Sequence, residues 1–293
     1  MTKSSFINSN RISDINSEAG VLYIVATPIG NLADITERAI KTLRDVDLIL
    51  AEDTRHTKPL LQHFAINTRT QAFHDHNERE QVGKMIEKLE SGKNIALVSD
   101  AGTPLISDPG YSLVNAAQHA NIQVCPIPGA CAVITALSAS GMPTDQFLFA
   151  GFIPAKTQQR INFLQSFVSH SYTLVFYESS HRIQDSLRDC AEVFSDRSVT
   201  MARELTKKFE TIRSTTFKEL QQWVSEDENQ RKGEFVLIVE GADKNQDKME
   251  QDLDRTLDVL LESLPVSQAV DLAVKLLGIK KNKVYKRALE LQK

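Results

Sequence analysis

The stretch Val21–Thr27, with the sequence VLYIVAT, is an almost unbroken apolar run, and Pro28 and Gly30 follow it directly. A short run without alternation is typical of a strand that is buried on both faces, as in a parallel sheet covered by helices. The segment after it has helical spacing, and we expect Asp34 to cap that helix while Glu37 completes a capping box. The folded part of the chain therefore starts as strand, turn and helix.

The same pattern recurs along the first half of the chain. Further strands are predicted at 48–51, 71–73, 94–99 and 123–127, separated by a helix with Pro59 in its first turn, a helix over 77–90, a helix from Tyr111, and the small-residue helix ACAVITALSASG. Strands that alternate with helices form mainly parallel sheets. The sequence thus predicts an N-terminal α/β domain over residues 21–143.

The second half has more separated strands and predicts a mixed sheet over residues 144–242. We expect strands at 147–153, 172–177, 199–202, 211–214 and 235–240, with helices near 157–168, 181–194 and 217–225. The polar residues 1–20 are interpreted as a loose tail, and the charged stretch 243–252 as a linker. Residues 253–293 have the spacing of a helix-turn-helix module with Gly278 in the turn.

The composition is that of an ordinary soluble protein. The 293 residues are 41% hydrophobic and 25% charged, the formal net charge is −4, and no apolar run approaches the length of a membrane span. Three cysteines without a CxxC pair favour a reducing compartment and no disulfide framework or zinc site. We therefore expect a cytoplasmic protein without a metal, and the acidic balance argues against a general nucleic-acid coat protein.

Small, turn-rich segments follow two of the predicted strands, at Thr27–Asn31 and Ser99–Pro104. Ligands of open α/β sheets bind at the carboxyl ends of the strands, where small side chains let the backbone approach a nucleoside. Neither segment reads GxGxxG, and no P-loop is present, which speaks against an NTPase. Alone, each segment is equally compatible with an ordinary turn.

Polar residues are dense at Glu52–His56, directly after a predicted strand, and this density indicates either a functional site or a solvated ion-pair network. The segment His74–Asn77 similarly ends a strand, and without a third ligand we interpret it as a helix cap instead of a metal site. Charged residues at Tyr177–Arg182 and Arg203–Lys208 are most simply solvated faces. The densest basic cluster, Lys280–Arg287, is either a contact for nucleic-acid phosphates or another solvated helix face.

Read together, a series of motifs resembles the ribosomal RNA small-subunit methyltransferase I family, within the tetrapyrrole methylase superfamily. In chain order these motifs are LYIVATPIGNLADIT, AEDTRHT, LVSDAGTPLISDPG, PIPGACAVITALSASG, GFIPAK, FYESSHR, ARELTK and GEFVLIVEG, which span about Val21–Gly241. The resemblance implies two α/β domains of the tetrapyrrole-methylase type, with S-adenosylmethionine bound folded between them. This mode of binding is consistent with the missing GxGxxG.

The resemblance also implies which residues contact the cofactor. Carried over position by position, these contacts fall on Pro28, Ala101, Gly102, Thr103, Ile106, Cys131, Ala132 and Glu178. Where tetrapyrrole-making relatives have Gly-Asp-Pro, this chain has Gly102-Thr103-Pro104, so that position offers no aspartate to the cofactor unless Asp100 compensates. A homodimer and no metal are further implications.

For the reaction, the resemblance implies 2′-O-methylation of a cytidine in the decoding region of 16S ribosomal RNA. A ribose hydroxyl is a weak acid, so transfer needs a base for its proton or a cation beside the developing alkoxide. Our catalytic candidates are Asp53, Arg55, His56 and Glu204, and Glu204 is expected on the opposite domain from the other three. The candidates for RNA contact are Lys280, Lys281, Lys283, Lys286 and Arg287.

Two other functions remain open from the sequence. A methylase of the same superfamily could act on a corrinoid or porphyrin precursor, although AEDTRHT and the basic C-terminal module are unnecessary for a small substrate. A DNA-binding regulator could use the helix-turn-helix around Gly278, although isolated matches of this type are common false positives.

Overall fold

The computed structural model describes residues 18–291, so most of the expected tail 1–20 lies outside the described residues. The chain divides into two compact units. The first unit runs through Ser140 and also contains Ala202–Ile212, and the second contains Gly141–Met201 and the chain from Arg213 onward. The first boundary is close to the expected one, but the assignment of Ala202–Ile212 to the first unit departs from the domain limits expected from sequence.

The first unit contains a five-stranded sheet in the order β3-β2-β4-β1-β5, and every pairing in it is parallel. Its strands are β1 (Leu22–Val25), β2 (Leu48–Ala51), β3 (Thr70–Ala72), β4 (Ile95–Val98) and β5 (Val124–Ile127). The helices between and after them are α1 (Glu37–Asp45), α2 (Thr54–His63), α3 (Glu78–Glu90), α4 (Tyr111–His119) and α5 (Ala132–Ser140). The predicted parallel α/β architecture is confirmed.

Apolar residues cover both faces of this sheet. Leu22 and Leu50 pack in a cluster with Leu113 of α4, while Val25 and Ile49 pack in a second cluster with residues of α1 and α2. Successive side chains of a strand point to opposite faces, so an unbroken apolar run can serve two cores at once. This explains why VLYIVAT lacks alternation.

Three local predictions are wrong. Thr36, not Asp34, caps α1, because its extended backbone lets its hydroxyl accept a hydrogen bond from the Ala39 amide at 3.1 Å. Asn77 precedes α3 but makes no capping bond, since its side chain bonds the backbone of the preceding turn instead. Pro59 lies in the second turn of α2, whose first turn is formed by residues 54–57.

The second unit contains another five-stranded sheet, in the order β6-β7-β10-β8-β9, with β7 parallel to β6 and antiparallel to β10. The strands are β6 (Phe147–Phe152), β7 (Thr173–Ser179), β8 (Ser198–Arg203), β9 (Thr211–Thr216) and β10 (Glu234–Val239). The helices α6 (Thr157–Gln165), α7 (Ile183–Phe194) and α8 (Phe217–Glu226) cover one face, around Phe176, Leu187 and Phe217. The predicted mixed sheet is confirmed.

Three helices complete the chain: α9 (Lys244–Leu261), α10 (Val266–Leu277) and α11 (Lys281–Leu291). The expected linker 243–252 is therefore corrected, because it is helical from Lys244 and continues into a segment whose Leu253 and Leu257 are buried. Extending an existing helix adds a hydrogen bond per residue, whereas a new nucleus is costly. Gly278, with φ of +68°, ends α10 as expected. No helix in the described part of the chain is long and apolar enough to cross a bilayer.

Candidate active site at the carboxyl edge of the first sheet

Three turns meet at the carboxyl ends of the neighbouring strands β4, β1 and β5. Thr27 and Gly102 exchange backbone hydrogen bonds of 2.8 and 3.1 Å, which joins the turn after β1 to the turn after β4. The Thr103 hydroxyl donates to the Ala130 carbonyl at 3.0 Å, which joins the turn after β4 to the turn after β5. The three turns therefore form one rigid group of backbone atoms, which we name the three-turn cradle (residues 27–31, 99–103 and 128–132).

Glycines permit this close approach. Gly102 has φ of +83°, and a Cβ on it would lie 3.3 Å from Ile29 Cγ2. A Cβ on Gly129 would lie 2.9 Å from the Cβ of Ala26, closer than ordinary van der Waals contact allows. Most of the cofactor residues implied by the resemblance lie on this cradle: Pro28, Asp100, Ala101, Gly102, Thr103, Cys131 and Ala132. Ile106 lies further along the loop after β4 and is partly exposed.

His56 and Asp100 lie side by side at this edge of the sheet. His56 follows β2 in the first turn of α2, and its Nδ1 is 2.8 Å from Asp100 Oδ2. The backbone amide of Asp53 donates to the other oxygen, Oδ1, at 3.0 Å. Asp100 raises the pKa of His56 through this hydrogen bond and its charge. The carboxylate fixes Nδ1 as the donor and leaves Nε2 of the exposed ring directed away from Asp100.

Asp53 and Arg55 form a local pair. Asp53 caps α2 by accepting from the Arg55 amide at 2.8 Å, and its Oδ2 accepts from Arg55 Nη2 at 2.6 Å. Hydrogen bonds from Arg55 hold the pKa of Asp53 well below its usual range. A carboxylate stabilised in this way is a poor proton acceptor, so the arrangement favours a structural role for Asp53.

Asp108 is a titratable residue that the sequence did not single out. It lies in the loop after β4, half-buried, and burial raises its pKa to about 7. A hydrogen bond from Ser99 opposes this shift, while the nearby charges of Glu52 and Asp100 add to it. The motif LVSDAGTPLISDPG contains this residue, but Leu105 and Ser107 in the same loop have positive φ angles, a conformation that no sequence pattern predicts.

Glu204 lies in the loop between β8 and β9, in the segment that belongs to the first unit. This corrects the expectation that it lies on the opposite domain from His56. Its Oε1 accepts from Lys207 Nζ at 2.8 Å. The same loop reaches the turn after β1, where the Asn31 amide donates to Thr206 Oγ1 at 3.1 Å. The Glu204–Lys207 ion pair therefore lies in a loop that contacts the three-turn cradle.

Glu178 lies in the second unit, at the end of β7, and its side chain is fully buried. It accepts hydrogen bonds from the Ser179 amide at 2.7 Å, from Arg182 Nη2 at 2.8 Å, and from the hydroxyl of Ser186. These contacts satisfy a buried carboxylate and fix the start of α7. Its contact with a cofactor stays a prediction.

The five basic residues expected to contact RNA have different surroundings. Arg287 donates to both oxygens of Asp254, at 2.6 and 2.7 Å, and Lys281 is 2.6 Å from Asp271. Lys280, Lys283 and Lys286 are exposed on the same module. Among the side chains that the structure describes, those of residues 18–243 and 252–291, there is no group of three or more His, Cys, Asp or Glu that could hold a metal ion.

Solved structures of several methyltransferases share this fold. The chain is similar to diphthine synthase, with a TM-score of 0.60 and 14% identity, over 76% of this chain and 90% of that chain. It is also similar to cobalt precorrin-4 methyltransferase, a cobalamin biosynthetic enzyme, with a TM-score of 0.57 and 19% identity, over 75% and 94% of the two chains. At these identities the likeness concerns the fold alone.

Sequence comparisons are more specific. The model of the tetrapyrrole (corrin/porphyrin) methylases matches residues 21–221, and the RsmI C-terminal HTH domain matches residues 247–292. Ribosomal RNA small subunit methyltransferase I of Escherichia coli O157:H7 is 55% identical, over 94% of this chain and 97% of the relative. The protein of the same name from Haemophilus influenzae is 51% identical, over 92% and 96%. The chain therefore belongs to the tetrapyrrole methylases and, within them, to the ribosomal RNA small subunit methyltransferase I family.

Proposed function

We propose that the protein transfers a methyl group from S-adenosylmethionine to small-subunit ribosomal RNA, at the ribose 2′-oxygen of a cytidine in the decoding region of 16S RNA. The observation that carries this proposal is the 55% identity to a ribosomal RNA methyltransferase across both the methylase region and the C-terminal module. The proposed place of action is the cytoplasm, where ribosomal RNA is found in bacteria.

The three-turn cradle fits a nucleoside cofactor. Glycine and alanine at positions 101, 102, 129, 130 and 132 keep the side chains small at the carboxyl edge of a parallel sheet, where a nucleoside can approach the backbone closely. S-adenosylmethionine, when bound, supplies a methyl group that is already electrophilic. The residues proposed to hold it are Pro28, Asp100, Ala101, Gly102, Thr103, Ile106, Cys131 and Ala132, with Glu178 proposed from the second unit. No metal is part of this proposal.

Among the four catalytic candidates, His56 is best suited to accept the proton of the acceptor hydroxyl. Its Nδ1 is held by Asp100 at 2.8 Å, so Nε2 is the available acceptor when the ring is neutral. Asp53 is a poor base because of Arg55, and Arg55 is 87% exposed and suited to a phosphate. Glu204 accepts a hydrogen bond from Lys207.

For RNA binding we propose the exposed face of the C-terminal module. Lys280, Lys281, Lys283, Lys286 and Arg287 are proposed to contact phosphates. The carboxylates of Asp271 and Asp254 compete with phosphate for Lys281 and Arg287. A homodimer would bring two such modules to one folded RNA without changing the acidic average of the chain.

Two rival functions are less well supported. A corrinoid or porphyrin methylase would share the fold, but the relatives that match almost the whole chain are named for ribosomal RNA. A DNA-binding regulator would not need the methylase region, which covers residues 21–221.

One assay separates these functions. Purified protein is incubated with methyl-labelled S-adenosylmethionine and either intact small ribosomal subunits, naked 16S RNA, duplex DNA or a porphyrin precursor. We expect label in ribosomal RNA alone, and alkaline hydrolysis should leave the methylated linkage intact because its 2′-oxygen is blocked. Label in the porphyrin, or in no substrate despite cofactor binding, contradicts the proposal.

A further inference from the structure

The loop after β8 is held in an unusual backbone conformation. Glu204 and Thr206 have φ angles of +50° and +65°, in the left-handed region that residues with a side chain rarely adopt. Strain of this kind persists only where surrounding contacts overdetermine the backbone, and such sites are often functional. We name the stretch Arg203–Glu210 the ELTK loop, and we expect its surroundings to hold it in this conformation.

Several contacts within the first unit fix the ELTK loop. The Thr206 amide donates to Glu210 Oε2 at 2.6 Å, and Arg203 Nη2 donates to the Phe209 carbonyl at 3.1 Å. Leu205 is buried, which anchors the middle of the loop. These contacts hold the ELTK loop in one conformation and fix the positions of its polar side chains.

The ELTK loop contacts the turn after β1, next to the proposed cofactor contact at Pro28. A Cβ on Gly30 would lie 2.4 Å from Lys207 Cγ, 2.9 Å from Thr206 Oγ1 and 3.1 Å from the Leu205 carbonyl oxygen. Only glycine leaves room for this approach. The hydrogen bond from the Asn31 amide to Thr206 Oγ1, at 3.1 Å, adds a directional contact.

As a result, the aliphatic stem of Lys207 packs against Gly30, in the part of the three-turn cradle that follows β1. Its ammonium group is 2.8 Å from Glu204 Oε1, and the side chains of the two residues are 29% and 19% exposed. Strand β1 is two places from β2, whose end carries His56, and two strand spacings are about 10 Å. A ribose can lie between a cation on one side and a base on the other over such a span.

We propose that Lys207 is a catalytic residue whose ammonium group contacts the acceptor oxygen of the RNA, and that Thr206 and Gly30 are positioning residues that hold the ELTK loop against the turn after β1. This inference rests on the proposed function. A fixed cation at the site of developing negative charge stabilises the transition state without reorganisation. Glu204 orients the ammonium group through the 2.8 Å hydrogen bond.

In this arrangement the acceptor hydroxyl gives its proton to His56 as its oxygen bonds to the methyl carbon. The electron pair of the broken carbon–sulfur bond stays on sulfur, and the released His56 proton passes to water. Lys207 keeps its own proton throughout, so its contribution is electrostatic.

The test compares Lys207→Met, Thr206→Val and Thr206→Ser with the wild type, and uses Gly83→Ala in α3 as the control. A Cβ on Gly83 meets nothing within 4 Å, so this change should leave methylation unaltered. We expect Lys207→Met to lower kcat for RNA methylation at least 100-fold, with KM for RNA and Kd for S-adenosylmethionine within threefold. Thr206→Val should lower kcat about tenfold, and Thr206→Ser, which keeps the acceptor oxygen, should restore most of it.

Limited proteolysis at Lys207 and Lys208 gives a readout independent of activity. Loss of the Thr206 hydroxyl should speed cleavage of the ELTK loop in Thr206→Val while the melting temperature stays within about 2 °C. Unchanged kcat in Lys207→Met overturns the inference, as does a variant in which KM alone rises and recovers at low salt, because that result indicates a phosphate contact. If the wild type itself fails to methylate ribosomal RNA, the proposed function fails instead.

Discussion

His56 and Asp100 are joined by a 2.8 Å hydrogen bond although 44 residues separate them in the chain. The parallel order of the first sheet places β2 and β4 side by side, so the residues that follow these strands meet at one edge. A carboxylate at Nδ1 selects the ring tautomer and stabilises the protonated ring, as in other histidine bases. The strand order of the first sheet therefore brings together the proposed base and the carboxylate that orients it.

Asp100→Asn should change the pH dependence of methylation. The base must be neutral, so activity falls as pH decreases through the pKa of His56, and Asp100 raises that pKa. Without the charge, we expect the acidic limb of the profile of kcat/KM to shift to lower pH and the plateau rate to fall at least tenfold. The measurement is kcat/KM between pH 5 and 9, with Lys93→Met as a control. An unchanged acidic limb would show that His56 is not the base.

Asp108→Asn should alter stability in a defined pH window. Burial raises the pKa of Asp108 from 3.8 to about 7, so the folded protein binds a proton that the unfolded chain releases. The stability associated with the protonated group is complete below pH 4 and is lost as pH rises towards 7. Urea unfolding should therefore show a smaller loss of stability between pH 4 and 8 in Asp108→Asn than in the wild type. Parallel curves for the two proteins would contradict the raised pKa.

Gly102→Ala should weaken cofactor binding. The residue has φ of +83° and faces Ile29 Cγ2, so a methyl group strains the backbone and crowds the turn after β1. We expect calorimetry to show a Kd for S-adenosylmethionine at least tenfold higher, while Gly83→Ala leaves it unchanged. An unaltered Kd in Gly102→Ala would place the cofactor away from the three-turn cradle.

Much of the first sheet could be predicted from local sequence, because strands buried on both faces produce unbroken apolar runs such as VLYIVAT. Helix caps are harder to predict. Asp34 and Thr36 both have side chains that can cap a helix, and only the backbone conformation of each residue determines which one does. The helical character of 243–252 depends on its continuation into the buried Leu253 and Leu257.

The sequence predicts which residues form the candidate site better than it predicts the hydrogen bonds between them. The motifs place His56 and Asp100 on separate turns, but their hydrogen bond depends on the order of the strands in the sheet, which hydrophobic periodicity does not predict. Glu204 lies in the first unit, in a loop where Glu204 and Thr206 adopt the left-handed backbone conformation, and no sequence signal predicts this conformation at residues other than glycine. The charge pattern alone therefore indicated only a solvated face at Arg203–Lys208.

Arg160→Met should be strongly destabilising. Arg160 Nε lies 2.6 Å from Asp189 Oδ2, both side chains are almost fully buried, and Arg160 Nη1 also donates to the Ala155 carbonyl at 3.0 Å. Removing Arg160 leaves the buried Asp189 with only the half-exposed Arg188, 3.2 Å away, as a counterion, and breaking a buried pair costs up to about 3–5 kcal/mol. Urea unfolding measures this, and Lys93→Met, which breaks an exposed pair with Asp47, should cost less than about 1 kcal/mol. The double change Arg160→Met with Asp189→Leu should recover most of the lost stability. If it does not, the destabilisation by Arg160→Met comes from lost packing and not from the unpaired charge.

Neutralising the exposed lysines of the C-terminal module should weaken RNA binding and reduce its salt dependence. Removing one lysine–phosphate interaction reduces the slope of log K against log salt by about 0.7 to 0.9. If Lys280, Lys283 and Lys286 each bind a phosphate, the triple alanine variant should lower the slope by about 2 to 3, measured by binding to 16S RNA between about 50 and 200 mM salt. Arg287→Ala should change the slope less and instead lower the stability of the module, because Arg287 pairs with Asp254. Equal slopes for the triple variant and the wild type would exclude this face as the phosphate-binding surface.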